Sequence, residues 1–307
     1  MRFVNLHHHS TFSYGDGFGT PAQHVARAAE LGYTAITLTE HGNTSSHFQL
    51  EKAAKKAGIR PIFGVEAYCG PVDELTRGPF KHHLTVLAQN AAGYAALNRI
   101  VSQSWRDHYY HPTISGTSLR DNADGLVVLS GCSGSLLACK LLGGKGKPEK
   151  DSPDFRAARD TIERFAALFA DCYFLEVQPF WELYRTNLIN PAYEKLSKET
   201  GVRLVVTNDV HYPTMDDAEM QAVLHAVHRG KASVDDAMRE WNYDVPLTLP
   251  DDDRALADRL VKTGMSPRAA RAAIENSAEI AESCKVELPK AERLRYPISE
   301  EDLRPWT

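Results

Sequence analysis

The feature of this sequence that most restricts its fold is an alternation of short β-branched runs with segments of helical spacing. Runs rich in Val, Ile, Thr and aromatic residues predict strands. We expect seven strands, at residues 3–7, 34–38, 60–66, 83–88, 125–130, 173–178 and 203–208. Helical segments separate most of them, at residues 21–31, 44–57, 91–101, 155–170 and 191–200. This alternation predicts a parallel α/β sheet, either a barrel or a doubly wound sheet, and periodicity alone does not distinguish the two.

Beyond residue 230 the strand pattern fades and helical signals replace it. Residues 251–285 are rich in Ala, Arg and Asp, and Ser266 followed by Pro267 is a typical helix start. We therefore expect a barrel or sheet domain at residues 1–230 and a helical extension with a linker at residues 231–307. Residues 143–153 predict a surface loop, and residues 289–307 lack a core pattern and predict the linker.

Composition and charge limit which binding partners and which cellular compartment we expect for this chain. The chain has 307 residues, no apolar run of the roughly 18 residues that a membrane span needs, and no signal-peptide core at its start. Its five cysteines are scattered, so we expect a cytoplasmic protein with free thiols or a thiol metal ligand, and no membrane contact. The net charge of −5 argues against phosphate binding by basic residues alone, whereas bound divalent cations would supply positive charge locally.

Side chains that bind metals recur where the predicted strands end. His7 and His9 are two residues apart at the end of the first strand, and Asp209 and His211 have the same spacing after the seventh, so each pair shares one face. The other positions are Asp16, His41, Glu66 and Cys132, together with His82 and His83, which open a strand instead of ending one. Ligand sites of parallel α/β folds form at the carboxyl ends of strands. Together these residues suit zinc, manganese or iron.

Each residue alone has an ordinary structural explanation. A single histidine such as His41 is more often a hydrogen-bonded residue of the core or surface, Cys132 would be a small buried apolar residue, and Asp209 could cap a turn. The interpretation as a metal site depends on the joint pattern, because nine suitable residues at strand ends would require nine coincidences.

Six stretches resemble a known family in their order along the chain. They are FVNLHHHSTFSYGDG, AITLTEHGN, GIRPIFGVEAY, HLTVLAQNAAGYAALNRI, GLVVLSGCSG and VVTNDVHY. Together they resemble the PHP (polymerase and histidinol phosphatase) domain at the amino end of bacterial DNA polymerase III alpha subunits. The resemblance implies a distorted seven-stranded (β/α) barrel. The helical part resembles the segment that joins this domain to the polymerase palm; no palm follows, so we expect either part of a longer polymerase or a stand-alone relative.

The resemblance also implies a site of nine ligands for up to three divalent ions. By motif, the ligands are His7, His9, Asp16, His41, Glu66, His83, Cys132, Asp209 and His211. We expect His7, His9, Glu66 and Asp209 around one ion, Glu66, His83 and Cys132 around a second, and Asp16, His41 and His211 around a third. Glu40 stands where the family usually has Asp, and we expect it to orient His41.

The activity implied is metal-dependent phosphoester hydrolysis, with Asp209, His211 and His83 as catalytic residues. A 3′–5′ exonuclease acting on single-stranded 3′ ends of DNA in replication fits the polymerase branch best, with replicative polymerase subunits as further partners. Two alternatives stay open. One is a catalytically silent, metal-stabilised scaffold module of a replicative polymerase, and the other is a small-molecule phosphatase resembling histidinol phosphatase.

Overall fold

The predicted alternation of strands and helices is present in the computed structural model, which describes residues 3–70, 82–143, 153–230, 233, 235–236 and 245–290. In these ranges the strands of the main sheet are Ala35–Leu38 (β1), Arg60–Cys69 (β2), His82–Ala88 (β3), Thr113–Ile114 (β4), Leu126–Leu129 (β5), Tyr173–Val177 (β6) and Leu204–Val206 (β7). The α-helices there are Pro21–Glu30 (α1), His47–Ala57 (α2), Ala91–Arg106 (α3), Gly116–Asp121 (α4), Leu136–Leu142 (α5), Phe155–Phe169 (α6), Tyr184–Thr200 (α7), Ala218–His228 (α8), Asp253–Lys262 (α9) and Pro267–Ser283 (α10).

Most helix predictions are confirmed, and the differences have local causes. The Thr20 side chain and Gln23 form a reciprocal cap at the start of α1, and the Ser266 hydroxyl accepts a hydrogen bond from Ala269 N at the start of α10. The start predicted for α7 at Pro191 is wrong, because the helix begins at Tyr184 and contains the proline in its interior. The helices α4 and α5 were not predicted, since six and seven residues are too few to show a period.

The sheet has the order β1-β2-β3-β5-β6-β7, with the two-residue β4 beside β2. The prediction of an all-parallel sheet is wrong for β3, which runs antiparallel to both β2 and β5, whereas the other neighbours on this path are parallel. The register pairs Cys69 at the end of β2 with His82 at the start of β3. A return of this kind needs no crossover helix, and the sequence shows no helical pattern between the two strands.

The first segment of the chain closes the sheet into a distorted barrel. Thr39 N, just after β1, donates to His8 O at 2.8 Å, and His9 N donates to Val210 O, just after β7, at 2.7 Å. The prediction of a regular strand at residues 3–7 is wrong, because this segment is irregular and pairs through an isolated bridge between His8 and Val210. It nevertheless takes the place of a strand between β1 and β7.

The inner face of the barrel changes from apolar at one end to polar at the other. One buried cluster collects alternate residues of the strands, with the period of two expected for one face: Ala35, Ile62, Leu87, Val127, Leu129, Phe174 and Val205. Along β2 the same face continues from Ile62 to Glu66, and along β6 from Phe174 to Glu176. The opposite faces of the strands pack with the surrounding helices in the larger core. The polar side chains therefore gather at one mouth of the barrel.

The helical extension packs on the other end. Ile280, Ala281 and Cys284 belong to the same cluster as the inner apolar residues, and the Asn276 amide donates to Leu204 O at 2.7 Å. The division into two domains at residue 230 stays a prediction, as does the linker, because residues 291–307 and most of the loop predicted at 143–153 lie outside the described residues. All five cysteines are free thiols. No helix in the described ranges combines the length and the apolar character needed to cross a membrane.

Candidate metal centre

Seven of the nine predicted ligand side chains line one pocket at the mouth of the barrel, and the other two, His7 and His9, contact the Glu66 and Asp209 carboxylates of that pocket. The placement of His83 depends on the direction of its strand. Because β3 runs antiparallel to β2, its first residues lie at the same edge as the last residues of the parallel strands. An isolated bridge pairs His41, beyond β1, with Glu66 on β2. His83, which opens its strand in the sequence, therefore lies at the same edge of the sheet as the other candidate ligands.

Glu66 lies at the centre of this pocket, with four histidines around its carboxylate. Its Oε1 is 3.2 Å from His7 Nε2 and 2.7 Å from His83 Nδ1. Its Oε2 is 3.4 Å from His9 Nε2 and 2.6 Å from His41 Nδ1. A carboxylate between imidazole nitrogens on both sides is suited to bridging two cations.

Asp209 occupies the side of the pocket next to the first segment. Its Oδ1 is 3.4 Å from His7 Nε2 and 3.5 Å from His9 Nε2, and its Oδ2 accepts a hydrogen bond from the Gln178 amide at 3.1 Å. Its backbone has a φ of 44°, a left-handed conformation that costs free energy for a residue with a side chain. Strain of this kind is typical of functional sites, because the surrounding structure must enforce it.

Asp16 and Cys132 lie on two other sides of the pocket. Asp16 Oδ2 is 2.7 Å from His41 Nε2 and 3.2 Å from His211 Nε2. The Cys132 sulfur is 3.4 Å from His83 Nδ1 and 3.7 Å from Glu66 Oε1. Contacts exist within each of the three expected groupings, but the donor atoms that lie within 4.8 Å of one another group differently, with His41 beside Glu66 and His83 and also beside His9 and His211. The assignment of ligands to individual ions stays a prediction.

Gly131 allows Cys132 to reach the pocket. Its φ is 85°, and a Cβ at this position would lie 2.3 Å from the His83 carbonyl oxygen. Only glycine fits such an approach in a left-handed conformation. The short sequence Ser130-Gly131-Cys132 is therefore explained by local backbone geometry as well as by the thiol.

The chemistry of these donors fits divalent ions. The atoms His7 Nε2, His9 Nε2, His41 Nδ1 and Glu66 Oε2 are buried, and the side-chain contacts that the structure gives them are to one another and to Asp209. Several imidazole nitrogens facing one buried carboxylate need shared protons or cations to offset its charge, and each of these atoms is a type that binds zinc, manganese or iron. Three groups of donors lie within 4.8 Å of one another: His7, His9 and Glu66; His9, His41 and His211; and His41, Glu66 and His83.

The pKa values of the metal-free site are shifted because its imidazoles and carboxylates are buried close to one another. Burial lowers the pKa of His7, but Asp209, Glu176 and Glu66 outweigh it and raise this pKa well above its usual value. For His41, burial is likewise outweighed by Glu66 and Asp16, which raise the pKa to about 10. Without a metal, protons occupy positions between carboxylates and imidazoles.

The pKa of His9 is shifted in the opposite direction to those of His7 and His41. Burial and the nearby His41 lower the pKa of His9 to about 3, although Asp209 acts in the opposite direction. The Ser13 hydroxyl donates to Glu40 Oε2 at 2.6 Å, so it accepts a hydrogen bond from His9 Nδ1 at 2.8 Å. This leaves the lone pair of Nε2 facing the pocket, as a metal ligand requires.

The expectation that Glu40 orients His41 is wrong. The Glu40 carboxylate accepts hydrogen bonds from Ser10 and Ser13 and acts on His9 through the Ser13 hydroxyl. The His41 backbone N–H donates to the same hydroxyl at 3.1 Å. Sequence proximity pointed to the neighbouring histidine, whereas the tertiary structure directs the carboxylate to a histidine from another segment.

Glu176 is a residue of the candidate site that sequence reasoning missed. It is buried on β6, and its Oε1 is 2.7 Å from His7 Nδ1 and accepts from the Thr207 hydroxyl at 2.6 Å. Its Oε2 accepts from Gly131 N at 3.1 Å and from the Thr85 hydroxyl at 3.2 Å. The available signal was a charged residue in an otherwise apolar strand, YFLEV, where a buried carboxylate needs partners.

We expect Glu176→Gln to weaken metal binding by about 10- to 100-fold, because an amide no longer holds His7 in the right tautomer as a charged carboxylate does. Titration of the metal-free protein with Mn²⁺ or Zn²⁺ by calorimetry measures this. Glu279→Gln is the matched control, since Glu279 is an exposed residue of α10 paired with Arg203. Equal affinities of the Glu176 variant and the wild type would contradict this role.

Comparison with known proteins gives a consistent family assignment. The sequence profile of the PHP domain matches residues 5–179. The DNA polymerase III subunit alpha of Treponema pallidum is 35% identical over 231 residues, covering 73% of this chain and 19% of that protein. The subunit from Thermus aquaticus is 30% identical over 310 residues, covering 97% of this chain and 24% of that protein. The chain thus spans about a fifth to a quarter of the length of these curated relatives.

Solved structures with some likeness include two proteins of 14% identity. One is a putative metal-dependent phosphoesterase from Bifidobacterium adolescentis, with a TM-score of 0.39, covering 68% of this chain and 87% of that one. The other is histidinol phosphate phosphatase from Lactococcus lactis, determined with zinc, L-histidinol and phosphate, with a TM-score of 0.39, covering 77% of this chain and 94% of that one.

Proposed function

Because this chain belongs to the PHP domain family, we propose that it is a metal-dependent phosphoesterase that hydrolyses DNA from 3′ ends during replication. The observation that carries this proposal is the convergence of imidazole nitrogens from four histidines on the buried Glu66 carboxylate. The similarity to DNA polymerase III alpha subunits supports DNA as the substrate and other replicative polymerase subunits as partners.

The exposure of the ligands suits a site that admits a substrate. His7, His9 and Glu66 are at most 1% exposed, whereas the side chain of Asp16 is 26% exposed and that of Asp209 16%. The pocket has a volume of about 310 Å³, close to the lower limit for small-molecule sites. Deep ligands would hold the ions, and the exposed side would receive one phosphate and its sugar.

Bound divalent ions would activate a water molecule and offset the negative charge of a phosphate. The protein residues have separate tasks. Glu176 and the Ser13 hydroxyl hold His7 and His9 in the tautomer that turns Nε2 toward the pocket. We assign Asp209, His211 and His83, which line the pocket, to the transfer of a proton to the leaving oxygen.

We expect metal binding to release protons and to strengthen as the pH rises. Burial lowers the pKa of His211, but Asp16 and Asp209 outweigh it and raise the pKa to about 9, and that of His41 is about 10. Both rings are protonated at pH 7 in the metal-free protein, so an ion must displace their protons. Affinity should increase from pH 6 toward pH 9–10 and then level off.

Calorimetric titration with Mn²⁺ in buffers of different ionisation enthalpy counts the released protons. A buffer-independent heat, or an affinity that falls with rising pH, would contradict this prediction. The Glu279→Gln protein serves as the control, because its substitution lies on the exposed surface of α10.

A second candidate is a metal-stabilised scaffold without catalysis, and one observation favours it. The donors come from the first segment, β2, β3 and the residues that follow β1, β5 and β7, so bound ions would tie the whole mouth of the barrel together. Asp209→Asn separates the two candidates. Loss of turnover with an unchanged melting temperature supports catalysis, whereas a lower melting temperature without any hydrolysis in the wild type supports the scaffold.

The direct test of the proposed function is hydrolysis before and after removal of metals. Protein treated with a chelator should lose activity toward bis-p-nitrophenyl phosphate and toward a single-stranded oligonucleotide labelled at its 5′ end, and Mn²⁺ or Zn²⁺ should restore both. Shortening of the labelled strand by single nucleotides identifies 3′–5′ digestion. Turnover that is unaffected by chelation would refute the proposal, and hydrolysis of histidinol phosphate alone would indicate a small-molecule phosphatase.

A further inference from the structure

The helix α8 packs over the loop that carries Asp16. The Gln221 side chain, buried on α8, donates a hydrogen bond to the Asp16 backbone oxygen at 3.0 Å. One turn further along, His225 Nε2 lies 3.8 Å from Asp16 Oδ1. These contacts place the end of α8 beside Asp16, a partly exposed candidate ligand of the metal centre.

The last turn of α8 contacts the same loop closely. A Cβ at Gly15, where φ is 74°, would lie 2.3 Å from His228 Cγ, so a larger residue there would displace the histidine. The Tyr14 ring meets the His228 ring edge to face, with centroids 5.5 Å apart. The fit between Gly15 and His228 holds this imidazole at the rim of the pocket.

Arg229 follows directly and adds a positive charge to the rim. Its Nε donates to His225 Nε2 at 2.7 Å, so one chain of contacts leads from Asp16 through His225 to the guanidinium. Both His228 and Arg229 line the pocket that contains the candidate ligands. In a chain with a net charge of −5, this is a cationic group next to a site lined with carboxylates.

We propose that His228 and Arg229 bind the phosphate adjacent to the one held at the metal centre, which makes the site selective for a polynucleotide over a phosphomonoester. This inference rests on the proposed function and specifies its substrate. The planar fork of a guanidinium matches the oxygens of a phosphate group. A phosphomonoester has a single phosphate, which the metal ions would bind, so it has no second phosphate for His228 and Arg229 to bind.

The experiment measures binding of a fluorescent oligothymidylate with phosphorothioate linkages, which resist hydrolysis, to the full metal-loaded chain by anisotropy at several salt concentrations. We expect Arg229→Ala to weaken binding about tenfold and to reduce the slope of log affinity against log salt by about 0.7, the value for one contact to a single strand. Arg229→Lys should keep the slope. Arg268→Ala, at an exposed arginine of α10 that does not line this pocket, is the matched control.

The ratio of kcat/KM for an unmodified oligonucleotide to kcat/KM for bis-p-nitrophenyl phosphate should also fall about tenfold in Arg229→Ala. An unchanged affinity and salt slope in that variant, or an equal loss in Arg268→Ala, would overturn the inference. If the wild type hydrolyses neither substrate, the proposed function fails. The binding measurement still decides the role of Arg229, because it requires no turnover.

Discussion

Glu66→Gln is expected to lower metal-dependent hydrolysis of bis-p-nitrophenyl phosphate on the order of 1000-fold, comparable with the loss of a key electrostatic group in other enzymes. The amide has nearly the same volume as the carboxylate but carries no charge. In the wild type this carboxylate lies within 3.4 Å of nitrogens of four histidines, more than any other carboxylate among the described residues contacts.

The same variant should bind fewer metal ions, because two of the three donor groups include Glu66. Metal content measured by mass spectrometry on the purified protein provides this second readout. Glu282→Gln is the matched control, since the Glu282 side chain is 64% exposed and pairs with Arg60 at the surface. A Glu66 variant that keeps both its ions and its turnover would remove the basis for the proposed site.

Removal of metal ions is expected to lower the melting temperature by roughly 10 °C. A ligand present at 1000 times its Kd stabilises the folded state by about 4 kcal/mol, and about 1 kcal/mol corresponds to a few degrees for a large domain. In this protein the ions would also replace protons between buried carboxylates and imidazoles, as around His7 and Glu66.

Differential scanning fluorimetry of chelated protein, with and without added Mn²⁺ or Zn²⁺, measures this change. Mg²⁺ at the same concentration is the control ion, because it prefers oxygen ligands and octahedral geometry over histidine nitrogens. Equal melting temperatures with and without manganese or zinc would show that the convergent donors do not hold ions in the folded state.

Much of the site follows from local patterns that the sequence alone determines. The spacing of two between His7 and His9 and between Asp209 and His211, and the position of Glu66 near the end of a strand, predict side chains on the inner face at one edge. The structure brings these residues together with Asp16, His41, His83 and Cys132, all of which the resemblance implied. Strand periodicity and helix caps act over a few residues, so a sequence records them directly.

The sequence did not determine the contacts between distant segments. It predicted β3 as parallel and the first segment as a regular strand, because propensity reports the type of an element and not its direction or its neighbours. Glu176 lies 169 residues from His7, and no local pattern connects them. The position of α8 over Asp16 is likewise set by packing between segments about 200 residues apart.

Local patterns therefore predicted the strands of the sheet other than the first segment and most of the helices, and the family resemblance supplied the set of candidate ligands. The direction of β3, the closure of the barrel by the first segment and the partners of each histidine were decided by the tertiary structure. The physical reason is that a buried carboxylate or imidazole must find its hydrogen bonds wherever the folded chain supplies them, and only the packed structure specifies which groups are near.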